Sequence, residues 1–185
     1  MFYDLTLKVT PQLIEDANGN EKKSLVGHIG THFDVMNKEF PLTYLHLPAI
    51  VFHVEDKMEI DCQDIDLDKV EKGMFVAFAT GYIDKIGYGN KAYFTKHPQL
   101  SNALIEELMK KEVAIIGIDC AGIRRGKEHT PIDQYCADHH VFVIENLCDL
   151  KNLLNNREYF HCIINTYPVN YSDMTGLPCR VVAEV

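Results

Sequence analysis

The sequence has no apolar run approaching the roughly 18 residues that cross a bilayer, so no membrane span is expected. Its first ten residues, MFYDLTLKVT, lack both the basic start and the apolar stretch of an export signal. They read as a strand, and a cytoplasmic protein is expected. No two of the six cysteines form a CxxC pair, and most sit in apolar stretches. That argues against a cysteine-based zinc site and a disulfide framework, and for reduced, mostly buried thiols. Basic residues are too few and too scattered to make a stripe. The net charge is −9, and an acidic surface repels phosphate backbones, so nucleic acid is not an expected partner. Internal repeats and low-complexity tracts are also missing.

What is present is an ordinary globular composition. The 185 residues are 46% hydrophobic, enough for one domain around one sizeable core. Apolar runs at 47–54, 74–80, 113–118, 141–144, 160–166 and 179–185 read as strands, as does 2–9. Residues 15–23 read as an exposed loop and 84–99 as a long connection. Residues 64–72, stopped by Gly73, and 149–156 read as short helices. Ser101 is placed to cap a helix carrying Leu104, Ile105, Leu108 and Met109 at helical spacing. Thr130-Pro131 is read as the opening of another helix, with proline at its first position. Strands outnumber helices and the two mix, which gives an α/β or α+β class.

The stretch GHIGTHFDV, residues 27–35, carries the chemistry. His28 and His32 are four apart and Asp34 is two beyond, among glycines that disfavour a regular helix but let backbone approach a ligand closely. Two imidazoles and a carboxylate suit zinc or another divalent transition ion. A polar loop with surface histidines is the competing explanation, and a metal site needs a further ligand from elsewhere. Glu145, which ends the apolar run VFVIE, is the best remote candidate, because α/β proteins place chemistry at strand ends.

GHIGTHFDV resembles the HxGTHxD signature of the cyclase-like metal-dependent hydrolases, the family that includes bacterial kynurenine formamidases. Further stretches resemble the family in order: YDLT, KGMFVAFATGY, HPQLSNALIEELMKKEVAIIGID, FVIENLCDL and TGLPCRVVAEV. The resemblance implies a single α/β domain over residues 1–185, a swivelling β/β/α type with a buried mixed sheet, and a homo-oligomer. It also implies one or two divalent ions, zinc or manganese, held by His28, His32, Asp34 and Glu145. Such an ion lowers the pKa of a bound water from near 16 to about 7. The function implied is hydrolysis of an amide, ester or lactone bond in a small-molecule substrate.

Two positions depart from the family pattern. Where a third histidine is usual, four residues past Asp34, this chain has Lys38. Where another ligand histidine is usual, twelve residues before Glu145, it has Asp133. A carboxylate there tilts the site modestly toward manganese or magnesium, although Asp133 is also spaced to close a capping box with Thr130. His129 is placed to supply the missing imidazole. Proton transfer is assigned to His129 or Lys38, the lysine only if its pKa falls by several units. The alternative is a metal- or ligand-binding protein that has lost its catalytic base. His139-His140 reads as a surface pair at a helix end, and Arg124-Arg125 with Lys127 as a solvated charge run.

Overall fold

The computed structural model describes residues 1–8, 10–17 and 27–185. Eight strands form one sheet in the order β1 (Phe2–Asp4), β10 (Gly176–Glu184), β2 (His32–Asp34), β8 (Phe142–Glu145), β7 (Ile115–Ile118), β5 (Phe75–Ala79), β3 (His46–His53) and β9 (Tyr159–Pro168). Because β9 also pairs with β10, the sheet closes into a ring, and β1 hangs outside it. Strands β3, β5, β7 and β8 run parallel, and the remaining junctions of the ring are antiparallel. A separate ribbon joins β4 (Glu59–Ile60) to β6 (Gln99–Leu100).

The apolar runs are explained by two covered faces. Phe75, Ala77 and Ala79 point into the barrel with Phe33, Val51, Ile115, Phe142, Ile144, Ile164 and Val181. Their alternates Val76, Phe78, Ile116, Ile118 and Val143 pack outward beneath two helices. Strands buried on both sides read as continuous hydrophobic stretches. The outer cover comes from α4 (Asn102–Lys110), through Leu104, Ile105 and Leu108, and from α5 (His129–Asp138), through Cys136. Ser101 caps α4 by accepting from the Leu104 amide at 3.0 Å, as its position predicts. Each fully buried Phe or Leu stabilises the fold by about 1.5–3 kcal/mol.

Several local expectations yield to the structure. The first strand stops at Asp4, whose carboxylate accepts from the Thr6 amide and turns the chain; Thr6 then makes an isolated bridge to Leu147. Residues 15–17 belong to helix α1 (Pro11–Ala17), with Thr10 accepting from the Leu13 amide, and 18–23 lie outside the described residues. The helix expected at 64–72 is replaced by two 3-10 turns, Cys62–Asp64 and Leu67–Lys69. The Asp61 and Asp66 side chains take the amides of Cys62 and Asp68, closing tight turns in competition with a longer helix. The connection at 84–99 contains α2 (Tyr82–Ile86), α3 (Lys91–Lys96, capped by Asn90) and β6, drawn together because Tyr93 buries itself against Tyr82, Tyr88 and Phe94. Arg124 is buried rather than solvated, and donates to Glu59, Glu128 and the Leu100 carbonyl. The segment 149–156 narrows to α6 (Leu150–Leu154). All six cysteines are free, as expected, and no described helix is long and apolar enough to cross a membrane.

Candidate metal centre

Strand parity places the first ligand candidates. Phe33 and Ile144 fill the barrel, so their neighbours His32, Asp34 and Glu145 face out. The antiparallel register sets His32 directly opposite Glu145. Helix α5 lies over this face. It begins at His129, one residue before Thr130, and Pro131 falls in the first turn, where its missing N–H costs nothing. Asp133 therefore does not cap the helix. Its side chain is buried and lies one turn from His129 on the inner face.

Six side chains converge in two adjoining groups. In the first, Asp34 Oδ1 lies 3.0 Å from His28 Nε2 and 3.5 Å from His32 Nε2. In the second, His129 Nε2 lies 3.3 Å from both Asp133 Oδ2 and Glu145 Oε1. The groups meet where His32 Nε2 stands 3.6 Å from Glu145 Oε2. The His28 and His32 rings are perpendicular with centroids 4.8 Å apart.

Backbone carbonyls fix the tautomers. His32 Nδ1 sits 2.9 Å from the Gly30 oxygen, and His129 Nδ1 sits 3.2 Å from the Arg124 oxygen. A carbonyl only accepts, so each Nδ1 carries a proton. In the neutral rings each Nε2 then turns a lone pair toward carboxylate oxygens. Lone pair against anion is repulsive unless a proton or a cation lies between them. His32 Nε2, Asp34 Oδ2 and Asp133 Oδ1 are buried without a hydrogen-bond partner among the described residues, and such groups cost about 1–3 kcal/mol each when left so. Imidazole nitrogens with fixed Nδ1–H donors and carboxylate oxygens are what divalent transition ions take. The donor set fits such an ion.

The electrostatics turn on positive charge. Burial pushes the Asp34 carboxyl up, but positive charge on the His32 and His28 rings outweighs it and holds the group below the usual carboxylate range; where those rings are neutral, a bound cation has to supply that charge. Burial, and then the Asp34 charge, push Asp133 well above it. Carboxylates crowded in a dry site compete for positive charge, and one of them keeps a proton when no cation is bound.

The six groups line a cavity of about 480 Å³ together with Met36, Phe94, Ala121, Thr130, Asn146 and Thr175. Lys38 is not among the lining residues. Its ammonium donates to Asp138 at 2.6 Å, at the far end of α5. All the other site residues read from the sequence are brought together. Asn146, which holds the Gly30 carbonyl behind His32, was not singled out by sequence reasoning. Adjacency to Glu145 was the only signal for Asn146, and nothing in a residue pattern links it to Gly30. His139 and His140 are exposed at the end of α5, as expected of a surface pair.

The Cyclase family model matches residues 3–124 of the chain. A solved structure described as a potential metal-dependent hydrolase with cyclase activity has a TM-score of 0.76 at 22% identity, covering 99% of this chain and 96% of the other. A predicted metal-dependent hydrolase from Bacillus stearothermophilus gives 0.73 at 20% identity over 99% and 97%. Isatin hydrolase A from Ralstonia solanacearum gives 0.73 at 15% identity over 99% and 91%. At these identities the likeness is one of fold. No curated protein matches the chain.

Proposed function

The chain belongs to the Cyclase family, and from that premise we propose that it is a metal-dependent hydrolase of an amide, ester or lactone bond in a small molecule. The carrying observation is the pair of Nε2 atoms, on His32 and His129, turned toward buried carboxylates at one cavity. His28, His32 and Asp34 would hold a divalent ion, zinc or manganese, with His129, Asp133 and Glu145 as further ligands. When bound, such an ion polarises a carbonyl and makes a water acidic enough to attack it near neutral pH.

The rest falls to the chain itself. The Gly30 carbonyl keeps the His32 proton on Nδ1, and the Arg124 carbonyl does the same for His129. Phe94, Met36 and Ala121 present apolar surface to a small substrate beside the polar cluster. A cyclic amide such as isatin, named for one of the structures of like fold, is a compound of this class. His129, with Nε2 between two carboxylates, belongs with the ligands rather than with a mobile proton carrier.

One observation favours the alternative, a binding protein without turnover. Lys38, which stands where the family resemblance implies a third histidine, is engaged by Asp138 away from the cavity. A screen of amides, esters and lactones with added zinc or manganese separates the two readings. Turnover that disappears in His32→Ala supports the hydrolase. Turnover unchanged in that variant refutes it, and ligand binding without turnover supports the alternative.

A further inference from the structure

The two groups of donors are chemically unequal. His28, His32 and Asp34 offer two imidazoles and one carboxylate, whereas His129, Asp133 and Glu145 offer one imidazole and two carboxylates. Within the second group, the acid is at position 133 and the imidazole is one helical turn earlier, so both still reach Glu145's side of the cavity. The groups share a boundary, His32 Nε2 to Glu145 Oε2, without sharing a residue. Both contain buried polar atoms that no hydrogen bond satisfies among the described residues: His32 Nε2 and Asp34 Oδ2 in the first, Asp133 Oδ1 in the second. Each is thus a candidate cation site in its own right.

Resting on the metal-centre reading above, we propose that the chain holds two inequivalent divalent-cation sites with different metal selectivity. The His28–His32–Asp34 site is the more zinc-selective. The His129–Asp133–Glu145 site discriminates less between zinc and manganese, so a mixed zinc–manganese centre forms when zinc is limiting. The physical cause is ligand softness and charge. Imidazole favours zinc over manganese, whereas carboxylate oxygen suits the harder manganese ion better. The second site also brings two formal negative charges against one, which strengthens binding of any dication through charge alone and dilutes the preference given by nitrogen. Zinc still binds each site more tightly than manganese, in keeping with the general order of divalent affinities. What differs is the ratio.

The test uses chelator-stripped full-length protein and buffered zinc chloride or manganese chloride, with affinities from titration and occupancy from elemental analysis. His28→Ala weakens the first site and Asp133→Asn the second, which assigns the two binding steps. The zinc-over-manganese affinity ratio is expected to be at least tenfold larger for the first site than for the second. In Asp133→His the second ratio should rise at least tenfold. Wild-type protein given one equivalent of zinc and then excess manganese should retain one of each, with the manganese visible by electron paramagnetic resonance. Equal ratios within twofold, or a ratio indifferent to Asp133→His, would overturn the proposal and leave the metal-centre reading standing. Binding of neither metal by the wild type would overturn both. The two-step titration of the wild type decides the matter even if a variant fails to fold.

Discussion

Asn146 donates its side-chain amide to the Gly30 carbonyl at 2.9 Å, the same oxygen that takes the proton of His32 Nδ1. Asn146 in turn accepts from the Tyr93 hydroxyl at 2.8 Å, and its own carbonyl accepts from Thr31. The residue next to Glu145 in sequence thereby ties the His28–His32 loop to the end of β8 and to α3. Both Tyr93 and Asn146 are buried.

Removing this tie should loosen the centre. Asn146→Ala frees the Gly30 carbonyl to rotate and strands the Tyr93 hydroxyl in the interior. Metal affinity is expected to fall about 10–100-fold, as for other groups that orient a ligand from behind. Stability should fall by about 1–3 kcal/mol from the unpaired hydroxyl. A metal titration and a denaturant melt read the two effects separately. Restoration of stability but not of metal affinity by adding Tyr93→Phe would show that the two losses have separate origins.

Gly122 makes room for His129. Its φ is +116°, and a Cβ there would lie 2.5 Å from His129 Nδ1. Gly122→Ala should displace the imidazole from the Arg124 carbonyl and weaken the second group of donors. The expected outcome is a loss of manganese or zinc binding at that group of about tenfold or more, with the His28–His32–Asp34 group little affected. Intact binding at both would show that the loop rearranges freely.

Two buried groups away from the centre give stability opposite pH slopes. Burial holds the His97 imidazole down to about 4 against an ordinary 6.5, even though it donates to the Pro98 carbonyl. Its contribution is whole above 6.5 and drains as pH falls through 4. Burial pushes the Asp119 carboxyl up to about 6 against 3.8, outweighing the bonds from Thr80 and Gly81. Its contribution is whole below 3.8 and is lost as pH rises through 6. At about 1.4 kcal/mol per pKa unit, each is worth about 3 kcal/mol at the extreme. Relative to wild type, His97→Gln should therefore gain stability as pH falls from 6.5 to 4, and Asp119→Asn should gain as pH rises over the same range. Thermal melts at half-unit steps check both signs.

Lys38→Ala should leave metal binding unchanged and any turnover within about twofold, and should cost at most about 1 kcal/mol for an exposed ion pair. A collapse of turnover with the fold intact would return Lys38 to the chemistry.

Residue pattern alone was enough to place the long buried strands, the Ser101-capped helix and the cluster of His28, His32 and Asp34, because each depends on neighbours within a turn or a strand. It also pointed to Glu145, through its position at a strand end and the family resemblance. Where side chains compete for nearby amides, as at Asp61 and Asp66, the pattern misjudged a helix, since local hydrogen bonds there outweigh periodicity. Only the tertiary structure decided that the sheet closes, that His32 faces Glu145 across an antiparallel register, and that Asp133 points inward from α5 instead of capping it. It also decided that Lys38 turns away. Register and helix docking are settled by packing between segments more than a hundred residues apart, and no local spacing encodes that.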